Sequence, residues 1–242
     1  MEKIFKSWIV NKPIAHRGLH NKSIPENSFL AFNCAVQGGY PIEIDVHLSK
    51  DNEVVIFHDR NLKRMTGVDG LIDNFTLKEI KKLKLNNSNE SIPTLKELLE
   101  LVKGKVPILI EIKGITRGGR LEGATYNLLK NYDGEYAIQS FNPFSVRWFK
   151  KNAKEVCRGQ LSCCFENQRM SKLRKFILKH MLLNSLSKPQ FIAYKGGDLL
   201  QKNKRITKLP ILAWTVANQE EYNKLKPICD NIIFEGFVPK VD

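Results

Sequence analysis

The stretch Tyr40-Pro41-Ile42-Glu43-Ile44-Asp45-Val46-His47-Leu48-Ser49-Lys50-Asp51-Asn52-Glu53-Val54-Val55-Ile56-Phe57-His58 decides the fold. Tyr40–Leu48 and Glu53–His58 both read as strands, being short, apolar and rich in β-branched residues. Only Ser49-Lys50-Asp51-Asn52 separates them. Four residues cannot hold a crossover helix, and parallel neighbours need a connection of a dozen or more residues. The two strands therefore form an antiparallel hairpin.

Outward from this hairpin, seven further runs alternate with helical patterns: Pro13–Gly18, Val106–Lys113, Glu135–Phe141, Arg158–Cys163, Phe191–Tyr194, Pro210–Val216 and Asn231–Phe237. Strands that alternate with helices predict a parallel sheet. Setting aside the second arm of the hairpin leaves eight strands, so the expected class is α/β, a TIM (β/α)8 barrel with a small insertion after strand two, at approximately 47–105. That insertion has its own turns (Thr66-Gly67, Asp69-Gly70, Asn86-Asn87) and a basic helix around Leu77–Leu85. Asn27 or Ser28 is placed to cap a helix Phe29–Gln37 that stops at Gly38-Gly39, and Thr94 to cap Leu95–Val102 before Gly104. At 242 residues, one domain over 1–242 is the default.

The 39 Lys and Arg against 25 Asp and Glu leave a formal charge of +14, a sign that suits a phosphorylated substrate or an anionic surface. The excess is spread over many segments, so a generally basic surface explains it equally well. Five cysteines, an odd count without CxxC spacing, read as buried reduced thiols. Met1–Val10 lacks the apolar core of a signal peptide, and no run approaches the ~20 apolar residues needed to cross a bilayer, so a cytoplasmic location is expected. Gln168–Leu186 places Leu173, Phe176, Ile177, His180, Met181 and Leu183 at helical spacing among Arg169, Lys172, Arg174, Lys175 and Lys179. It reads first as a barrel helix burying its apolar stripe and second as a peripheral contact with an anionic membrane.

Acidic and basic residues crowd the ends of the first strands, where barrels build their active sites. Glu43 and Asp45 are two apart on one strand and share a face, as do Glu111 and Lys113. Three inward carboxylates carry a large desolvation penalty unless a cation sits among them, and an all-oxygen set favours Mg²⁺ or Ca²⁺ over zinc. The competing expectation is a buried salt-bridge network with Arg17 and Lys113. Cleaving a phosphodiester needs two proton transfers, for which His16 and His58 are the candidates. Arg17 and Lys113 would supply fixed positive charge to the phosphoryl oxygens. His20, His47 and His180 have no such company and read as structural or surface residues.

Several motifs together resemble the glycerophosphodiester phosphodiesterase family. They are His16-Arg17-Gly18; Pro25-Glu26-Asn27-Ser28 with Ala31-Phe32; Ile42-Glu43-Ile44-Asp45-Val46; His58-Asp59 and Leu62 before Thr66-Gly67; Glu111-Ile112-Lys113; Gln139-Ser140-Phe141; Ala213-Trp214-Thr215-Val216; and the closing Asp230–Pro239 segment. The resemblance implies metal-dependent hydrolysis of glycerophosphodiesters to glycerol 3-phosphate and an alcohol, a reaction of glycerol and lipid metabolism. Carried over by position, Glu43, Asp45 and Glu111 would bind a divalent cation, and His16 and His58 would form the acid/base pair. Arg17 and Lys113 would hold phosphate, and Glu26, Gln139 and Trp214 would line or support the pocket. The glycerol 2-hydroxyl would act as internal nucleophile, giving a cyclic intermediate opened by water. One departure lies in the last strand, where Glu235 stands where family members commonly have aspartate.

Two other functions compete. One is a phospholipase-like phosphodiesterase acting on lysophospholipids at a membrane surface through 168–186. The other is a non-catalytic barrel that binds phosphorylated ligands, against which the complete set of acids and histidines speaks. No aromatic-interleaved basic stripe or nucleic-acid motif is present, so the expected partner is a small molecule.

Overall fold

The computed structural model describes residue 4 and residues 7–86, 88–114, 119–166 and 168–240. Its nine strands are β1 Ile14–His16, β2 Ile42–Leu48, β3 Val54–Ile56, β4 Ile108–Ile112, β5 Tyr136–Ser140, β6 Cys157–Ser162, β7 Phe191–Lys195, β8 Ile211–Val216 and β9 Asn231–Phe234. Eight are parallel-paired, and the class is a (β/α)8 barrel with one extra strand, β3. The chain divides into two compact units, Ala15–Tyr136 and the remainder.

In the unit Ala15–Tyr136, β2 is the centre of the sheet. It pairs in parallel with β1, bringing His16 opposite Glu43, and in parallel with β4, bringing Asp45 opposite Glu111. The hairpin partner β3 runs antiparallel, with Val46 opposite Ile56 and Leu48 opposite Val54. Pairing register thus gathers acids that are nearly 70 positions apart in sequence, as estimated from the separation of Asp45 and Glu111. Ser28 caps Phe29–Gln37, its side chain accepting from the Ala31 amide. Thr94 and Glu97 form a capping box on Leu95–Val102, and Leu95, Leu98, Leu99 and Val102 bury one stripe of that helix.

The insertion packs a small core of its own from Val55, Phe57, Leu62, Met65, Ile72, Ile80, Leu85 and Ile92. Its helix is shorter than the sequence suggests, covering Leu77–Ile80. Beyond it the chain bridges Lys84 to Ser91, and the Leu85 amide donates to Glu90 O at 3.0 Å, which sends Leu85 into the core. Of the expected turn Asn86-Asn87, the second residue lies outside the described residues.

In the other unit, β5 to β9 pair in parallel in chain order. Asn231 Nδ2 donates to the carbonyls of Ile9 and Lys12, both at 2.7 Å, tying the N-terminal segment to β9. The stretch 168–186 departs from the first expectation. It forms the helix Lys172–Lys179 and a short turn of helix at Asn184–Ser187, and no residue of the first helix is buried. Leu173 and Phe176 are 70% and 54% exposed, as is the neighbouring Leu182 at 51%, so this part of the apolar stripe faces out, while Ile177, Met181 and Leu183 are half-buried. The helix is only eight residues long and is held by polar contacts, Ser162 Oγ to Leu178 O and Lys175 Nζ to Glu166 O. All five cysteines are free thiols and are partly rather than fully buried. Among the described residues no helix is long and apolar enough to cross a membrane.

Candidate active site

The end of β1 turns sharply. Arg17 and Gly18 both adopt positive φ, 54° and 82°, and a side chain at Gly18 would place its Cβ 2.8 Å from the Ala31 carbonyl carbon. Only glycine meets both demands. The turn brings the Arg17 amide to donate to Glu43 Oε2 at 3.3 Å and sets His16 Nε2 3.9 Å from the same oxygen. The Arg17 guanidinium donates to Glu26 Oε1 at 2.7 Å and approaches Asp45 Oδ2 at 3.4 Å. Asn27, also at positive φ, donates from Nδ2 to Asp45 Oδ2 at 3.1 Å, while its Oδ1 is buried without a partner among the described residues.

Glu43, Asp45 and Glu111 are buried, and one carboxylate oxygen from each lies within 4.8 Å of the others. Lys113 Nζ bridges two of them, at 2.9 Å from Asp45 Oδ1 and 2.8 Å from Glu111 Oε1. The ion pairs expected as the alternative to a bound cation are therefore formed by Arg17 and Lys113. Three carboxylates face two fixed cations, Arg17 and Lys113, and the excess acidity settles unevenly. Burial, together with the charges of Asp45 and Glu111, pushes the Glu43 carboxyl well above its ordinary range, and burial likewise raises Glu111. Asp45 is equally buried, but Lys113, His58, Arg17 and His16 outweigh that penalty and hold it far below the usual range. Lys113 in turn stays firmly charged despite burial, because Asp45 and Glu111 favour its cation.

His58 follows the hairpin strand β3 and is fixed from two sides. Its carbonyl meets His47 Nε2 at 3.2 Å. Burial pushes His47 down to about 4, so the ring is neutral and Nε2 carries the donated proton. His58 Nδ1 lies 2.6 Å from Asp59 Oδ1, and Asp59 Oδ2 accepts from Arg64 Nε at 2.5 Å. Arg64 then donates to both oxygens of Glu26, which also holds Arg17. Burial lowers His58 itself below the ordinary histidine value, with Lys113 and Arg17 adding to the effect. Beside Lys113 opens a cleft of about 290 Å³ lined by His47, Lys50, Arg60, Asp73 and Arg120.

The metal, histidine and phosphate candidates of the sequence, together with Glu26, thus lie in one unit. Asn27, His47, Asp59 and Arg64 are additions. Asp59 stood in the His58-Asp59 motif without a role, and His47 proves a buried structural residue. Arg64 carried no signal, since only the local fold brings it back to Asp59 and Glu26. Gln139 and Trp214 belong to the other unit. Gln139 is buried on β5, and the Trp214 ring stands edge-on to Phe141 with centroids 5.4 Å apart. Trp214 Nε1 is buried without an acceptor among the described residues. Glu235 is partly buried, its amide donating to Val216 O at 3.0 Å.

A profile described as the Glycerophosphoryl diester phosphodiesterase family matches residues 16–234, which spans every residue of this cluster. The chain belongs to that family. This member is an enzyme, similar over 162 residues at 40% identity to a glycerophosphodiester phosphodiesterase of Caldanaerobacter subterraneus, covering 62% of this chain and 66% of that protein. It is 33% identical over 144 residues to a human lysophospholipase D, covering 54% of this chain and 45% of the human one. Among solved structures, a phosphodiesterase of Oleispira antarctica in complex with the product sn-glycerol-3-phosphate is similar with a TM-score of 0.79 and 27% identity, over 93% of each chain.

Proposed function

We propose that this phosphodiesterase hydrolyses glycerophosphodiesters to glycerol 3-phosphate and an alcohol, with Glu43, Asp45 and Glu111 holding one divalent cation, Mg²⁺ or Ca²⁺. The observation that carries this reading is the buried carboxylate triad, whose oxygens lie within 4.8 Å of one another. The donor set is all carboxylate, which suits a hard cation, and the upward push on Glu43 marks a cluster one positive charge short. When bound, such a cation supplies positive charge to the phosphoryl oxygens and neutralises charge that develops on them.

The chain's own groups would do the rest. Burial, with Lys113 and Arg17, favours the neutral form of His58, whose Nδ1–H is directed at Asp59 and whose Nε2 would take a proton from the attacking oxygen. His16, on the opposite flank of β2 from β4, would deliver the proton that the leaving alcohol needs. Arg17 would hold a phosphoryl oxygen, oriented by Glu26, and Lys113 would add positive charge. A supporting role for Gln139 and Trp214 rests on the family resemblance alone.

The test is release of glycerol 3-phosphate from a series of diesters differing in their alcohol, with Mg²⁺, with Ca²⁺ and with chelator. Release that needs either cation supports the assignment, and no release from any diester would overturn it. Lysophospholipids belong in that series, because a relative bears the name lysophospholipase D.

A further inference from the structure

The connection from β6 to β7 contains no acidic residue after Glu166, yet it carries six Lys and Arg. Arg169, Lys172, Arg174 and Lys188 are exposed. Leu173 and Phe176, three apart and so neighbours on one side of the helix Lys172–Lys179, are 70% and 54% exposed, and Leu182 just beyond is 51% exposed. These three are among only five large apolar side chains exposed among the described residues. Lys172 and Lys179 flank Phe176 at four and three positions along the same helix. Exposed apolar side chains interspersed with cations along one segment mark an interaction surface rather than a stray solvent-facing leucine.

We infer that this segment docks the enzyme on anionic lipid bilayers, with Leu173, Phe176 and Leu182 entering the acyl boundary and the surrounding Lys and Arg facing lipid phosphates. Charge decides the occupant. A second copy seated on the same patch would set six cations against six cations, whereas a phosphate-bearing surface neutralises them. Apolar insertion plus cation attraction is how short amphipathic helices hold to membrane interfaces. This docking rests on the segment alone and is independent of the proposed catalytic chemistry.

The experiment is sedimentation of the full chain with vesicles of phosphatidylcholine alone and of phosphatidylcholine mixed with phosphatidylglycerol, at physiological salt. The chain should pellet with the anionic vesicles and stay in solution with the neutral ones. Leu173→Ser with Phe176→Ser should weaken that binding roughly tenfold or more, leaving turnover of a water-soluble diester unchanged. Should that pair disturb folding, Lys172→Gln with Arg174→Gln alters charge alone and should weaken binding roughly fivefold per cation removed. Absence of pelleting with anionic vesicles would overturn the inference. So would equal pelleting with neutral ones, or a concentration-dependent dimer abolished by Phe176→Ser in a chain that ignores vesicles.

Discussion

His58 donates its Nδ1 proton across 2.6 Å to Asp59, its own neighbour in the chain. Asp59 can only accept here, because Arg64 and His58 hold its carboxyl below the ordinary range in spite of burial. The tautomer of His58 is thereby fixed with a free lone pair on Nε2, and Arg64 extends the support to Glu26 and Arg17. One chain of charge-assisted hydrogen bonds thus sets both an imidazole and a guanidinium.

Replacing the imidazole should abolish most turnover. His58→Ala is expected to lower kcat roughly 10²- to 10⁴-fold, with circular dichroism unchanged. Asp59→Asn should lower it by about 10- to 100-fold. Because Asp59 raises the His58 value, losing its charge should also move the acid limb of the kcat/KM profile to lower pH. Steady-state kinetics across pH checks both, and near-normal turnover in His58→Ala would sink the acid/base assignment.

Glu43→Gln separates function from stability. It should abolish cation-dependent activity, yet in the presence of chelator it should unfold at a higher temperature than the unaltered chain. Burial and two neighbouring carboxylates oppose the Glu43 charge, and removing it relieves that penalty. A carboxyl raised in the folded state loses stability as pH rises through its folded value. The advantage of the variant should therefore be largest at alkaline pH and shrink toward the ordinary carboxylate range. Calorimetry with chelator at two pH values reads it directly.

Gly18→Ala should both destabilise and disarm the enzyme. The new Cβ meets the Ala31 backbone at 2.8 Å while φ stays at 82°, and such a combination costs about 2 kcal/mol or more. Since Gly18 completes the turn that aims Arg17, KM for the diester should rise even where the fold survives. Chemical denaturation and substrate titration distinguish the two effects.

Burial pushes the thiols of Cys157 and Cys229 up to about 12. At pH 9 both should alkylate roughly a hundredfold or more slowly in the native chain than in denaturant, as followed by mass mapping. The same shift makes their contribution to stability complete below the ordinary thiol value and lost as pH rises from there toward 12.

The metal candidates were legible because strand alternation alone places Glu43 and Asp45 on one face, and the four-residue link at Ser49–Asn52 alone forces the hairpin that carries His58. Those are local, steric facts, and the sequence by itself determined them, together with the cap at Thr94 and the count of eight parallel strands, while the choice of Ser28 over Asn27 as the other cap fell to the structure. It could not decide what depends on residues far apart meeting in space. Lateral register put Glu111 opposite Asp45, and the fold of the insertion carried Arg64 back to Asp59 and Glu26. Helical periodicity in Gln168–Leu186 was visible from the start, but periodicity states only that an apolar stripe exists. Whether that stripe finds a core is a property of the surrounding packing, and here the tertiary structure leaves Leu173 and Phe176 facing outward.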